Sequence, residues 1–85
     1  MKVKVLYLAS LRERLGKSGE DLELPPATST VAGLRTLLMA RGGAWQVALA
    51  QGKALRVAVN QEMAQPTTPV RPGDEIAFFP PVTGG

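Results

Sequence analysis

Apolar and polar residues alternate from the start of the chain. In VKVLYLA, Val3, Val5 and Tyr7 share one parity and Lys2, Lys4, Leu6 and Leu8 the other, which predicts a strand whose lysine-marked face points outward. The period then lengthens. SLRERLG sets Leu11 and Leu15 four apart, spaces Ser10 and Glu13 as a capping box, and puts Gly16 where a left-handed residue would close a short helix. EDLELP alternates again through Leu22 and Leu24 until Pro25-Pro26 ends the second strand. Thr30 is placed to cap the longest helix, predicted from Val31 to about Arg41, with Val31, Leu34, Leu37 and Leu38 in one stripe and Gly42-Gly43 as the stop. Gly33 inside it costs ~1 kcal/mol relative to alanine and admits two readings, close packing against a strand or a tolerated imperfection. AWQVALAQG reads as a further helical turn, with Trp45 packing at the core edge.

The last third alternates with the period of strands. Leu55, Val57 and Val59 lead to Asn60-Gln61, a hairpin tip, and Glu62 and Met63 return. Pro72-Gly73 centres a second turn before a closing strand from Glu75 to Phe79. The order implies an α+β fold with a mixed sheet of four to five strands packed on one main helix plus a short helix. Parity puts Ile76 and Phe78 inward, and Glu75, Ala77 and Phe79 outward. Should the first and last strands be neighbours, Leu6, Leu8, Ala58, Ala77 and Phe79 form one outward apolar patch, the mark of a protein partner. The competing reading folds Trp45 or a loop over these residues.

Composition removes most other chemistry. The 85 residues make one domain, which buries only ~60 to 65% of its unfolded surface and leaves little room for an enclosed active site. Histidine and cysteine are absent, and with them imidazole and thiolate metal ligands, thiol nucleophiles and the usual neutral-pH base. The net charge of +3 comes from scattered basic residues; Arg12, Arg14 and Lys17 cluster, but around Glu13 and without a row of aromatics, so no nucleic acid partner is expected. No apolar run approaches the ~20 residues of a membrane span, and a cytoplasmic protein with no membrane partner is expected.

The closing FFPPVTGG departs from a plain domain end. Pro80 cannot donate to a sheet ladder, and Pro80-Pro81 favour an extended path. From Pro80 through Val82, Thr83 and Gly84 to Gly85 the chain can span at most ~20 Å, and the two glycines suit a narrow channel. The expected division is a folded domain over 1–79 and an extended tail over 80–85, against the blander reading of a frayed terminus.

These stretches carry a resemblance. MKVKVLYLASLRERLG, the helix ending in RGGAW, VAVNQE and RPGDEIAFFPPVTGG together resemble the small, MoaD-type subunit of molybdopterin synthase over essentially the whole chain. A terminal Gly-Gly is shared with ubiquitin-like modifiers and with the thiamine-pathway carrier ThiS; the Phe-Phe-Pro-Pro prefix favours molybdopterin. The resemblance implies the β-grasp, ubiquitin-like fold and a sulfur carrier whose working group is the Gly85 carboxylate. It implies that an E1-like adenylating enzyme (MoeB-type) uses ATP to adenylate Gly85, and that a sulfur donor enzyme supports displacement of AMP to leave a thiocarboxylate. The loaded tail then donates sulfur to cyclic pyranopterin monophosphate in a large MoaE-type subunit, the two subunits forming a heterotetramer. On this reading the chain has no catalytic activity alone, binds no cofactor stably and holds no metal. It docks through Leu6, Leu8, Met63, Ala77 and Phe79, with Phe79 the main anchor. The alternatives are a modifier conjugated to lysines and a carrier for thiamine biosynthesis.

Overall fold

The computed structural model describes residues 1–50 and 54–81. Among the described residues five strands and three helices follow in the order β1 (Lys2–Tyr7), α1 (Ser10–Leu15), β2 (Gly19–Glu23), α2 (Val31–Met39), α3 (Ala44–Leu49), β3 (Arg56–Val59), β4 (Glu62–Met63) and β5 (Glu75–Phe79). The strands form one mixed sheet in the order β2-β1-β5-β3-β4, the ubiquitin-like β-grasp arrangement. β1 and β5, the first and last strands, run parallel side by side, while β1 with β2, β5 with β3 and β3 with β4 pair antiparallel.

One face of the sheet makes the core. Val3, Val5 and Tyr7 from β1, Ile76 and Phe78 from β5 and Val57 from β3 are buried against Leu11, Val31, Leu34, Leu38, Ala48 and Leu49 of the helices. The alternation expected for β1 and β5 therefore holds. Arg35 of α2 fixes α3 from the side, its Nε donating to the Leu49 carbonyl at 2.7 Å and its Nη2 to that of Ala50 at 2.6 Å, which satisfies carbonyls left open at the end of α3.

Local signals hold at four boundaries. Thr30 Oγ1 accepts the Gly33 N–H at 3.2 Å, the expected cap. Gly16 closes α1 at φ 70°, with its N–H on the Arg12 carbonyl at 2.9 Å. Asn60 and Gln61 take φ 51° and 68°, a hairpin tip whose backbone twist matches that of its strands. Gly73 at φ 84° completes a turn closed by the Asp74 N–H on the Arg71 carbonyl at 3.1 Å.

Three expectations change. α2 ends at Met39, short of Arg41, because its exit tightens into i+3 bonds from Arg41 N–H to the Leu38 carbonyl and from Gly42 N–H to that of Met39. Gly33 backs onto no strand; a Cβ there would meet Thr28 and Thr30 at an ordinary 3.5 Å, so this glycine is a tolerated imperfection. Ser10 and Glu13 form no capping box, since Ser10 is already inside α1, Ala9 holds the cap position, and no side chain bonds the helix start.

Candidate docking face and tail root

Strand register turns the outward residues into rows. Leu6 lies opposite Gly19 on one side and Ala77 on the other; Ala77 lies opposite Ala58, and Ala58 opposite Met63. The row Gly19-Leu6-Ala77-Ala58-Met63 thus crosses all five strands on the face away from the core. Toward the start of β5 the next row is charged, Asp21-Lys4-Glu75. Toward its end Phe79 lies opposite Arg56, and Leu8, just past the end of β1, donates its N–H to the Phe78 carbonyl at 3.0 Å and so stands beside Phe79.

The members of this face differ in exposure. Met63 is 61% exposed and Leu8 41%, while Leu6, Ala58 and Phe79 are half-buried. Ala77, expected among the exposed contact residues, is buried at 7%. Its side chain does point to the outer side, but β5 is the middle strand, and Leu6 and Ala58 close over a methyl that short. Ala77 keeps the face flat and offers little area of its own.

Gly19 matters to the same face. A Cβ built there would stand 2.8 Å from the Val5 carbonyl oxygen and 2.9 Å from Leu6 Cδ2, so the absent side chain is what lets Leu6 lie over the neighbouring strand. Trp45 does not cover the face. Its ring meets Tyr7 edge-on on the core side, with centroids 5.1 Å apart.

At the end of β5 the chain passes Pro80, which borders a cleft of about 220 Å³ lined also by Ser10, Arg14 and Leu55. Pro81 is half-buried. Val82, Thr83, Gly84 and Gly85, the rest of the expected tail and its working carboxylate, lie outside the described residues. Among the described residues no group of three or more carboxylates is placed to hold a metal, and no helix is long and apolar enough to cross a membrane.

A polar cluster on the helical side was not expected. The Tyr7 hydroxyl donates to Glu20 Oε2 at 2.7 Å; Arg41 donates to both Glu20 oxygens, at 2.8 and 3.0 Å; Lys17 lies 3.6 Å away. The Arg41 guanidinium also sits 4.4 Å from the centre of the Trp45 ring. The bidentate bond from Arg41 holds the Glu20 carboxyl below its ordinary range, against the opposing effect of burial. Burial, then the bond to Glu20, pushes the Tyr7 phenol up. One signal could have found this cluster, because Glu20 shares parity with Leu22 and Leu24 and so projects to the core side, where it must find partners. It ties the end of β1 and the start of β2 to the exit of α2.

Comparison with known proteins decides the family. A family model described as "ThiS family" matches residues 5–85. The chain belongs to the ThiS family. Two relatives named "Molybdopterin synthase sulfur carrier subunit" resemble this ThiS-family chain over 98% of its length and 99% of theirs, that of Escherichia coli at 43% identity and that of Haemophilus influenzae at 45%. Among solved structures, a complex of subunits 1 and 2 of the molybdopterin-converting factor from Helicobacter pylori contains a chain that superposes with TM-score 0.68 over 100% of both chains at 22% identity, a likeness of fold.

Proposed function

We propose that this ThiS-family chain is the sulfur carrier subunit of a molybdopterin synthase, with Gly85 as the carrying residue. The observation that bears most weight is the continuity of the outer face with the tail: one apolar row spans the sheet, Leu8 and Phe79 edge it, and Pro80 follows Phe79 directly. The names of relatives at 43 to 45% identity agree with that reading.

A carboxylate is a poor acyl electrophile, because its charge is delocalised and the group to be expelled would be oxide. In the proposed cycle an E1-like adenylating enzyme therefore lets a Gly85 oxygen attack the α-phosphate of ATP, releasing pyrophosphate. Sulfur at the sulfide level, supplied by a donor enzyme, then displaces AMP and leaves Gly85 as a thiocarboxylate. The large, MoaE-type subunit binds the outer face and receives the tail in its own pocket. There the sulfur attacks cyclic pyranopterin monophosphate, and two loaded carriers serve each dithiolene. The acid, base and pterin-binding groups belong to that subunit, in keeping with a carrier chain that has no histidine or cysteine.

Reconstitution tests the reading. Incubation with ATP, the adenylating enzyme and a sulfur donor should raise the intact mass by the oxygen-for-sulfur difference, and the product with a large subunit and precursor should yield molybdopterin. A loaded chain that delivers sulfur only to the thiazole of thiamine, or an unloaded chain recovered as an amide on lysines, would replace the proposal with the corresponding alternative.

A further inference from the structure

Two of the three helices among the described residues, α1 and α3, begin in the same unusual way. Leu11 N–H donates to the Leu8 carbonyl at 3.2 Å across Ala9, which has φ 56° and ψ −137°. Trp45 N–H donates to the Gly42 carbonyl at 3.1 Å across Gly43, which has φ 56° and ψ −133°. Both are type II′ turns, whose second residue needs positive φ and is ordinarily glycine. At Gly43 a Cβ would meet nothing within 4 Å, so the glycine there answers the backbone angle alone. At Ala9 the same angle is imposed on a residue with a methyl, and that strain has to be offset somewhere.

The chain itself provides no burial to offset it, for Ala9 is exposed. The two turns differ in where they stand. Gly43 lies on the helical side, next to the helix that carries Trp45. Ala9 follows Leu8, which is backbone-bonded to Phe78 beside Phe79, and precedes Ser10, which borders the Pro80 cleft. It therefore occupies the junction of the apolar face and the tail root.

We propose that Ala9 is a contact residue of the docking face, its methyl group packing against an apolar surface of the large subunit beside Leu8 and Phe79. The methyl that strains the turn in the free chain is the group that makes contact in the complex. This inference rests on the docking reading above and extends the interface around the end of the sheet.

The test compares two reciprocal variants with the unaltered chain, by thermal melting and by titration with the large subunit. Ala9→Gly should raise the melting midpoint by about 2 to 6 °C, since the turn relaxes, and weaken binding about three- to tenfold. Gly43→Ala should lower the midpoint and leave binding unchanged. Unaltered affinity in Ala9→Gly overturns the proposal, and so does a midpoint no higher than that of the parent, which would show that the turn stores no strain. An unaltered chain that fails to bind the large subunit sinks the docking reading and this inference with it, and that result appears before any variant is compared.

Discussion

Phe79 ends β5 half-buried, opposite Arg56 and one residue before the prolines. An aromatic ring in that place adds apolar area to the face without supporting the core, so Phe79→Ala should melt near the parent chain yet bind the large subunit at least about tenfold more weakly. Equal isotherms for the two proteins would remove Phe79 as the anchor. Gly19 makes the opposite demand. A methyl there collides with the Val5 carbonyl and with Leu6, and Gly19→Ala should cost about 1 to 3 kcal/mol, read from denaturant midpoints, while pushing Leu6 out of the row. The Tyr7–Glu20–Arg41 tie sets the pH limits. Because the folded-state pKa of Glu20 is depressed, its contribution is present above the unfolded carboxylate value of about 4 and is lost as pH falls through the folded value. Tyr7 is raised, so its contribution is complete below about 10 and is lost as pH climbs beyond that. Melting midpoints should be flat between these limits, and Tyr7→Phe should blunt the alkaline decline; a decline as steep in that variant would place its cause elsewhere.

At the scale of elements, legibility followed the range of the interaction. Thr30, Gly16, Gly73 and the Asn60-Gln61 tip act on residues a few positions away, and their chemistry could be read directly from the chain. The inward parity of Val3, Val5, Tyr7, Ile76 and Phe78 was equally plain, because a strand buried on one face must alternate. The start of α1 was not. Ser10 and Glu13 have capping-box spacing, yet the helix begins one residue sooner than that box requires, because the chain leaves β1 through a type II′ turn that a sequence with Ala9 in place of glycine does not advertise. Ala77 escaped for another reason. Its parity was right, but exposure depends on which strands flank it, and strand order is a property of the assembled sheet. The Glu20–Arg41 pair likewise joins residues 21 apart, β2 to the exit of α2, and no local pattern couples them.

Across the whole molecule the two sides of the sheet have separate duties. The helical side holds the core and the polar tie, and the outer side carries the row from Gly19 to Met63, which Leu8 and Phe79 edge on the side of the tail root. Stability and sulfur carriage should therefore come apart in experiment. Removal of Gly85 should leave the melting midpoint where it was and abolish the mass gain on sulfur loading; any thiocarboxylate formed by the shortened chain would disprove the assignment of the carrying atom. The position of β5 has a consequence during synthesis. β5 follows the other four strands in the chain, and it is also the middle of the sheet, held by β1 on one side and β3 on the other. A product that terminates before Glu75 lacks the centre of its fold and is open to proteolysis. Such a product should not persist as a folded domain, which limited proteolysis of the truncated chain would check.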